Sequence, residues 1–140
     1  REQIDYLVHT YMDAVYPVGK EVGIHAHNNL QLAYANTIEA IILGANRVDA
    51  TILGMGRGAG NCPMELLLGF LRNPKFKLRP IIEACHNTIL PLRSKYDWGP
   101  SIPYYITGQL NLHPRSAMAF REGKSPDDYL AFYDKTITDL

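Results

Sequence analysis

The chain has 140 residues, 46% of them hydrophobic, and its 14 basic residues balance 14 acidic ones. This composition suits one modest folded domain or a piece of a larger one, it excludes a disordered chain, and the neutral charge argues against a nucleic-acid surface or a polybasic membrane anchor. The two cysteines, Cys62 and Cys85, give no disulfide framework, and no apolar run is long enough to span a membrane, so we expect a cytoplasmic protein.

Residues 1–16 predict an amphipathic helix, because their apolar side chains recur at helical spacing. These side chains are Ile4, Leu7, Val8, Tyr11 and Val15. Pro17 and Gly19 end the pattern. Since the sequence opens at Arg1, without an initiator Met and partway along a helix, we expect it to be a fragment of a longer polypeptide.

A strand, a helix and a second strand follow. Residues 21–27 and 47–52 alternate as short strands, and residues 30–45 show helical spacing that ends near Gly44. Such a βαβ unit predicts parallel strands. Because parallel strands are normally covered on both faces within a larger sheet, we expect most of that sheet upstream of Arg1.

The rest of the chain predicts helices and no further strand. A glycine-rich loop, residues 54–61, leads into the first of them. The predicted helices cover 63–72, 78–90 with an interruption at Pro91, 101–111 and 114–122, and a last one starts at Ser125 as its N-cap, with Pro126 in its first turn. Tyr129, Phe132, Tyr133 and Ile137 are expected on the inward face of that last helix.

His25 and His27 form the first chemical motif of the sequence. Two residues apart on a strand, they project from the same face and offer two imidazole ligands to one divalent metal. The alternative is a hydrogen-bonded pair without metal. Asn61 follows the neighbouring strand and offers a side-chain oxygen, although its position two residues before Pro63 favours helix capping on spacing alone. A mixed nitrogen and oxygen set suits Mn²⁺, Mg²⁺, Fe²⁺ or Co²⁺ better than structural Zn²⁺.

The sequence over roughly residues 18–72 resembles the metal-dependent TIM-barrel aldolase and lyase superfamily. The resemblance rests on Gly-Ile-His-Ala-His-Asn-Asn-Leu at 23–30, Ala-Asn at 35–36, Arg-Val-Asp-Ala at 47–50, and Gly-Met-Gly-Arg-Gly-Ala-Gly-Asn at 54–61. That superfamily contains 4-hydroxy-2-oxovalerate aldolase, hydroxymethylglutaryl-CoA lyase and isopropylmalate synthase.

The resemblance implies an α/β fold, the C-terminal part of a (β/α)8 TIM barrel. Residues 1–74 would be the C-terminal quarter of the catalytic barrel, with its last two parallel strands, and residues 75–140 a helical C-terminal extension packing on it. His25 and His27 correspond to the family's metal-binding pair, and Asn61 to a further ligand in several members. The implied cofactor is Mn²⁺ or Mg²⁺, with Co²⁺, Fe²⁺ or Zn²⁺ as alternatives.

The implied activity is that of a metal-dependent carbon–carbon lyase. The parent protein would cleave or form 4-hydroxy-2-oxo acids through a metal-stabilised pyruvate enolate, with a small 2-oxo acid as substrate. The family's first-strand Asp ligand has no counterpart here, so we expect the upstream chain to supply it together with the catalytic base, and the fragment alone to be inactive. Association into a homo-oligomer stays open.

Two rival functions remain. One is an acyl-CoA-dependent Claisen carboligase or lyase of the isopropylmalate synthase or hydroxymethylglutaryl-CoA lyase type; the glycine-rich loop lacks the catalytic Cys of the latter, since Cys62 falls after Asn61. The other is a degenerate barrel without catalysis. Tyr104 and Tyr105 are weak candidates for catalytic residues because their aromatic stretch would suit the lining of a pocket.

Overall fold

The computed structural model describes residues 2–123 and 125–140. At its centre lie two short parallel strands, β1 (Gly23–His25) and β2 (Arg47–Asp49), joined by the crossover helix α2 (Ala33–Ile42). The predicted βαβ unit and its parallel pairing are confirmed. The register pairs Gly23 with Arg47, Ile24 with Val48, and His25 with Asp49.

The other elements of the described chain are helices and short turns. They are α1 (Glu2–Val15), α3 (Met64–Leu71), α4 (Leu78–Ala84), α5 (Leu90–Arg93), α6 (Ile102–Gln109), α7 (Arg115–Arg121) and α8 (Tyr129–Thr138), with short 3₁₀ turns at Tyr16–Val18 and Ile52–Gly54. The fold is therefore α/β, with a helical second half. Within residues 2–123 and 125–140, no helix is long and apolar enough to cross a membrane.

The interruption predicted at Pro91 takes the form of a π-helical turn. Residues Cys85–Ile89 form that turn between α4 and α5, and the amide of Leu90 donates to the carbonyl of Cys85. Proline has no amide hydrogen, so the regular α-helical ladder cannot continue through Pro91. The wider turn carries the chain past the missing donor, and the helix continues to Arg93 instead of ending.

Three small apolar clusters hold these elements together. Around β1, α1 and α2 pack through Val8, Ala40 and Ala45. On the other side of α2, Ala33, Cys62 and Leu67 pack with Val48 and Ala50 of the second strand region. The third cluster joins the glycine-rich loop to the last three helices through Ala59, Tyr104, Ala117 and Phe132. The helices after residue 100 therefore pack directly on that loop.

The predicted start of the last helix is wrong by about one turn. The N-cap is Asp128, whose carboxylate accepts from the amide of Ala131 over 3.1 Å, whereas Ser125 lies in the preceding turn. An aspartate caps as well as a serine, and this one is followed immediately by the apolar run. The inward face also differs from the prediction: Phe132 and Thr136 are buried, while Tyr133 and Ile137 are exposed.

Candidate metal centre

His25 and His27 lie side by side at the C-terminal end of β1. Their ring centroids are 5.0 Å apart and their planes are inclined by 77°. This follows from the strand geometry, because residues two apart project from the same face. Both side chains remain exposed, so each retains a ring nitrogen accessible to a ligand. The structure therefore brings together the two imidazoles that the sequence singled out.

Asn61 lies directly opposite His27. The two residues form an isolated antiparallel bridge, in which the amide of Cys62 donates to Ala26 over 3.1 Å and the amide of Asn28 donates to Gly60 over 2.9 Å. Side chains at directly opposed positions share a face, with Cβ atoms about 4.5–5.5 Å apart. The backbone thus places the Asn61 side chain beside the histidine pair.

Capping by Asn61, which its spacing favoured, is wrong. The helix α3 begins at Met64, and the Asn61 amide Nδ2 donates instead to the carbonyl of Met55 in its own loop, over 3.2 Å. This hydrogen bond orients the amide and so fixes the direction of its oxygen Oδ1, the atom of an amide that can bind a cation. The bridge to His27, and not the start of α3, therefore determines where the Asn61 side chain lies.

The glycines of the loop allow this arrangement. A Cβ on Gly56 would overlap the Asn61 amide nitrogen, and a Cβ on Gly60 would overlap the carbonyl oxygen of Gly54. Gly60 also has φ +82°, in the left-handed region that glycine favours. The amide of Asn61 donates to the carbonyl of Gly54 over 3.0 Å, which closes the loop on itself. The glycine-rich sequence is therefore needed to bring Asn61 back to β1.

Asp49 is a site residue that the sequence reasoning missed. Its Oδ2 lies 3.2 Å from His25 Nδ1, at the position directly across the parallel pair. A signal for this contact existed in the sequence: aligning residues 23–25 with 47–49 as parallel strands puts both side chains on one face.

Tyr104 and Tyr105 lie on α6, beside the glycine-rich loop. The buried Tyr104 ring packs against Gly58 and beneath the Arg121 guanidinium, 5.5 Å from its centroid. Burial, with a smaller contribution from Glu122, raises the pKa of the Tyr104 hydroxyl above its ordinary value. The Tyr105 hydroxyl accepts from Gln31 Nε2 over 3.0 Å. Tyr104 therefore contacts the glycine-rich loop and Tyr105 contacts Gln31, rather than the histidine rings.

The donor set fits part of a divalent-metal site. Two imidazoles and an amide oxygen are ligands that Mn²⁺, Fe²⁺ and Co²⁺ accept in mixed octahedral sites. Among residues 2–123 and 125–140, no three His, Cys, Asp or Glu side chains form a group that could hold a metal. The arrangement thus supplies up to three ligands, and an octahedral centre needs others in addition.

Comparisons with known proteins place the chain in a family. A family model described as HMGL-like matches residues 2–86. The 4-hydroxy-2-oxovalerate aldolase of Thermus thermophilus is 43% identical over 76 residues, which are 51% of this chain and 22% of that protein. The oxaloacetate decarboxylase of Mycobacterium tuberculosis is 55% identical over 51 residues, 36% of this chain and 15% of that protein. The matched stretches therefore span less than a quarter of these relatives.

A solved structure extends the likeness. The crystal structure of the N-terminal domain of a protein assigned as an aldolase from Bacteroides vulgatus superimposes with a TM-score of 0.65 and 38% identity, over 83% of this chain and 40% of that chain. Because 83% is more than the share matched by the family model, the likeness includes part of the chain after residue 86. On the family match, the chain belongs to the HMGL-like family.

Proposed function

We propose that this chain supplies part of the active site of a divalent-metal-dependent carbon–carbon lyase, an aldolase that cleaves or forms 4-hydroxy-2-oxo acids. The observation that carries the proposal is the convergence of His25, His27 and Asn61 beside the C-terminal end of the parallel strand β1. Active sites of parallel α/β proteins lie at that end. The aldolase and decarboxylase relatives support this class of chemistry.

The reactions for which the two relatives are named share one chemical requirement. Retro-aldol cleavage of a 4-hydroxy-2-oxo acid and decarboxylation of oxaloacetate each break the bond between C3 and C4, and each leaves the electron pair on C3 of pyruvate as its enolate. A divalent cation would supply Lewis-acid stabilisation of that charge, worth several kcal/mol. In this chain, His25 and His27 would hold the cation through ring nitrogens and Asn61 through Oδ1.

In the proposed domain division, the catalytic base of the reaction lies on barrel residues outside this chain. We assign residues 1–74 to the last quarter of a (β/α)8 barrel and 75–140 to an extension packed on it. The amide of Gly99 donates to Gly58 over 3.0 Å, and Tyr104 packs beside it, which supports packing of the extension on the loop. The carboxylate on these strands that lies beside the histidines, Asp49, is engaged with His25, so the remaining barrel would supply the base, and the 140-residue chain alone would be inactive.

Tyr104 suits a hydrogen-bond donor better than a base. Its raised pKa keeps the hydroxyl protonated at neutral pH, so it would donate to a substrate oxygen rather than remove a proton. This role requires the hydroxyl to reach the substrate from the Gly58 side of the loop.

The structure disfavours a hydroxymethylglutaryl-CoA lyase type of reaction. The Cys62 side chain is fully buried, and its thiol is hydrogen-bonded to Thr37. Burial raises the pKa of that thiol, an effect that the hydrogen bond to Thr37 only partly offsets, and so lowers its reactivity. Oxaloacetate decarboxylation is the better second candidate, favoured by the relative that is 55% identical over 51 residues.

The test uses the whole protein that contains this chain. Metal content is measured by elemental analysis, and pyruvate release is followed with 4-hydroxy-2-oxovalerate and with oxaloacetate, alongside an assay that pairs acetyl-CoA with 2-oxo acids. His25→Ala and His27→Ala are expected to lose both metal and pyruvate release, and Asn61→Ala to lose part of each. His9→Ala, on the exposed face of α1, is the matched control. Unchanged metal content and activity in both histidine variants of the pair would overturn the proposal.

A further inference from the structure

The contact between His25 and Asp49 has a consequence for metal binding. We propose that Asp49 is a positioning residue of the metal centre: it holds the His25 ring in the tautomer that carries its hydrogen on Nδ1 and directs Nε2 toward the cation. This inference rests on the proposed metal-dependent function and deepens it, because it assigns a role to a residue that is not itself a ligand.

The backbone fixes this contact. In the parallel register, His25 and Asp49 are direct partners, so both side chains project from one face of the sheet. The distance from Nδ1 to Oδ2 is 3.2 Å. An ionised carboxylate only accepts hydrogen bonds, so Nδ1 must be the donor and Nε2 keeps its lone pair. The nitrogen available to a cation is therefore the one that points away from Asp49.

Direct ligation by Asp49 is disfavoured by the same geometry. Among the residues the structure describes, His25, His27 and Asp49 do not form a three-ligand group for a metal. The carboxylate faces the nitrogen opposite to the free lone pair. The neighbouring cation on β2, Arg47, donates to Glu21 over 2.6 Å and is thus engaged elsewhere. Asp49 therefore has His25 as its partner and acts through it.

The contact with Asp49 is expected to strengthen metal binding by His25 and to add little to the stability of the fold. A carboxylate that accepts from the non-ligating nitrogen orients the imidazole and raises its basicity, and loss of such partners typically weakens metal binding 10- to 100-fold. The Asp49 side chain is 72% exposed and that of His25 47% exposed. Exposed pairs of this kind contribute little to stability. Removing Asp49 should therefore reduce metal affinity while the protein stays folded.

The experiment titrates the metal-free whole protein with Co²⁺ and follows the d–d absorption of the bound ion. Asp49→Ala is expected to weaken Co²⁺ affinity about 10- to 100-fold with the absorption spectrum at saturation unchanged. Asp49→Asn, whose amide oxygen still accepts, should restore part of the affinity. Glu21→Gln removes a carboxylate that lies just before β1 and contacts Arg47 of β2, without touching His25, and should bind Co²⁺ like the wild type.

The outcomes separate this inference from the proposed function. If the wild type binds no Co²⁺, or if His25→Ala binds it equally well, the metal centre itself is overturned, and the role of Asp49 with it. If His25→Ala loses binding while Asp49→Ala matches the wild type, only the role of Asp49 is overturned. A changed absorption spectrum in saturated Asp49→Ala would make Asp49 a direct ligand and would also overturn the positioning role.

A second measurement needs no metal. Long-range ¹H–¹⁵N NMR spectra of the metal-free protein report which ring nitrogen of a histidine carries the hydrogen. We expect His25 on the Nδ1–H tautomer in the wild type and in Glu21→Gln, and a shift toward Nε2–H in Asp49→Ala. The same tautomer in all three proteins would contradict the inference, whatever the affinity.

Discussion

The indole nitrogen of Trp98 donates a hydrogen bond to the carbonyl oxygen of Leu53 over 3.1 Å, across 45 positions of the chain. Leu53 lies at the start of the glycine-rich loop in a left-handed conformation, with φ 51°. The same indole is 5% exposed and lies against Gly60 at the other end of that loop. One side chain of the helical second half thus contacts both ends of the loop that carries Asn61.

Replacing Trp98 tests this contact. Trp98→Phe keeps an aromatic ring in the buried position but removes the N–H, so the Leu53 carbonyl loses its donor. We expect the free energy of unfolding to fall by about 1–3 kcal/mol, measured by urea denaturation. Tyr96→Phe, two residues away at an exposed aromatic, should change it by less than about 0.5 kcal/mol. Equal effects of the two substitutions would contradict the role of the indole nitrogen.

Gly60 should be far less tolerant than a glycine in open space. In Gly60→Ala, the new Cβ would overlap the Gly54 carbonyl oxygen at a φ of +82°, so we expect a loss of about 2–3 kcal/mol of unfolding free energy. In Gly69→Ala, inside α3, nothing lies within 4 Å of the new Cβ, and stability should rise by up to about 1 kcal/mol. Denaturation curves that shift in the same direction for both variants would refute this interpretation of the loop.

Periodicity was enough to predict the elements that build the site. The alternating patterns of residues 21–27 and 47–52 and the helical spacing before Gly44 are local signals that predict the parallel pair, and the alternation alone puts His25 and His27 on one face. Asn61 was different, because its neighbourhood is compatible with two local structures. The bridge to His27 decides between them, and that contact is made across 34 positions of the chain.

Competition between equivalent local signals explains the error at the last helix. Ser125 and Asp128 are both good N-caps, and each precedes an apolar residue at a plausible distance. In the structure Asp128, which directly precedes the apolar run, accepts from the amide of Ala131, and Phe132 of that run is buried against the glycine-rich loop.

The two capping candidates predict opposite results in a pair of alanine variants. In Asp128→Ala, the amide of Ala131 loses its acceptor, and we expect the free energy of unfolding to fall by about 0.5–2 kcal/mol. Ser125→Ala should change it by less than about 0.5 kcal/mol, since this residue lies in an exposed turn before the helix. Urea denaturation of both variants measures the difference. A larger loss in Ser125→Ala would restore the start that the sequence predicted.

The buried thiol of Cys62 predicts a loss of stability in alkali. Burial, reinforced by the negative charge of Glu65 and partly offset by the hydrogen bond to Thr37, raises its pKa in the folded state. The stability gained from the neutral thiol is fully present below about pH 8.5, the ordinary pKa of a thiol, and is lost as the pH rises through the raised pKa.

Unfolding free energies between about pH 7 and 10.5, in reducing buffer, should therefore decline above pH 8.5, and less steeply in Cys62→Ala. Burial also raises the pKa of Cys85, so the Cys62→Ala/Cys85→Ala double variant should show the shallowest decline. An unchanged alkaline slope in the double variant would assign the decline to other groups.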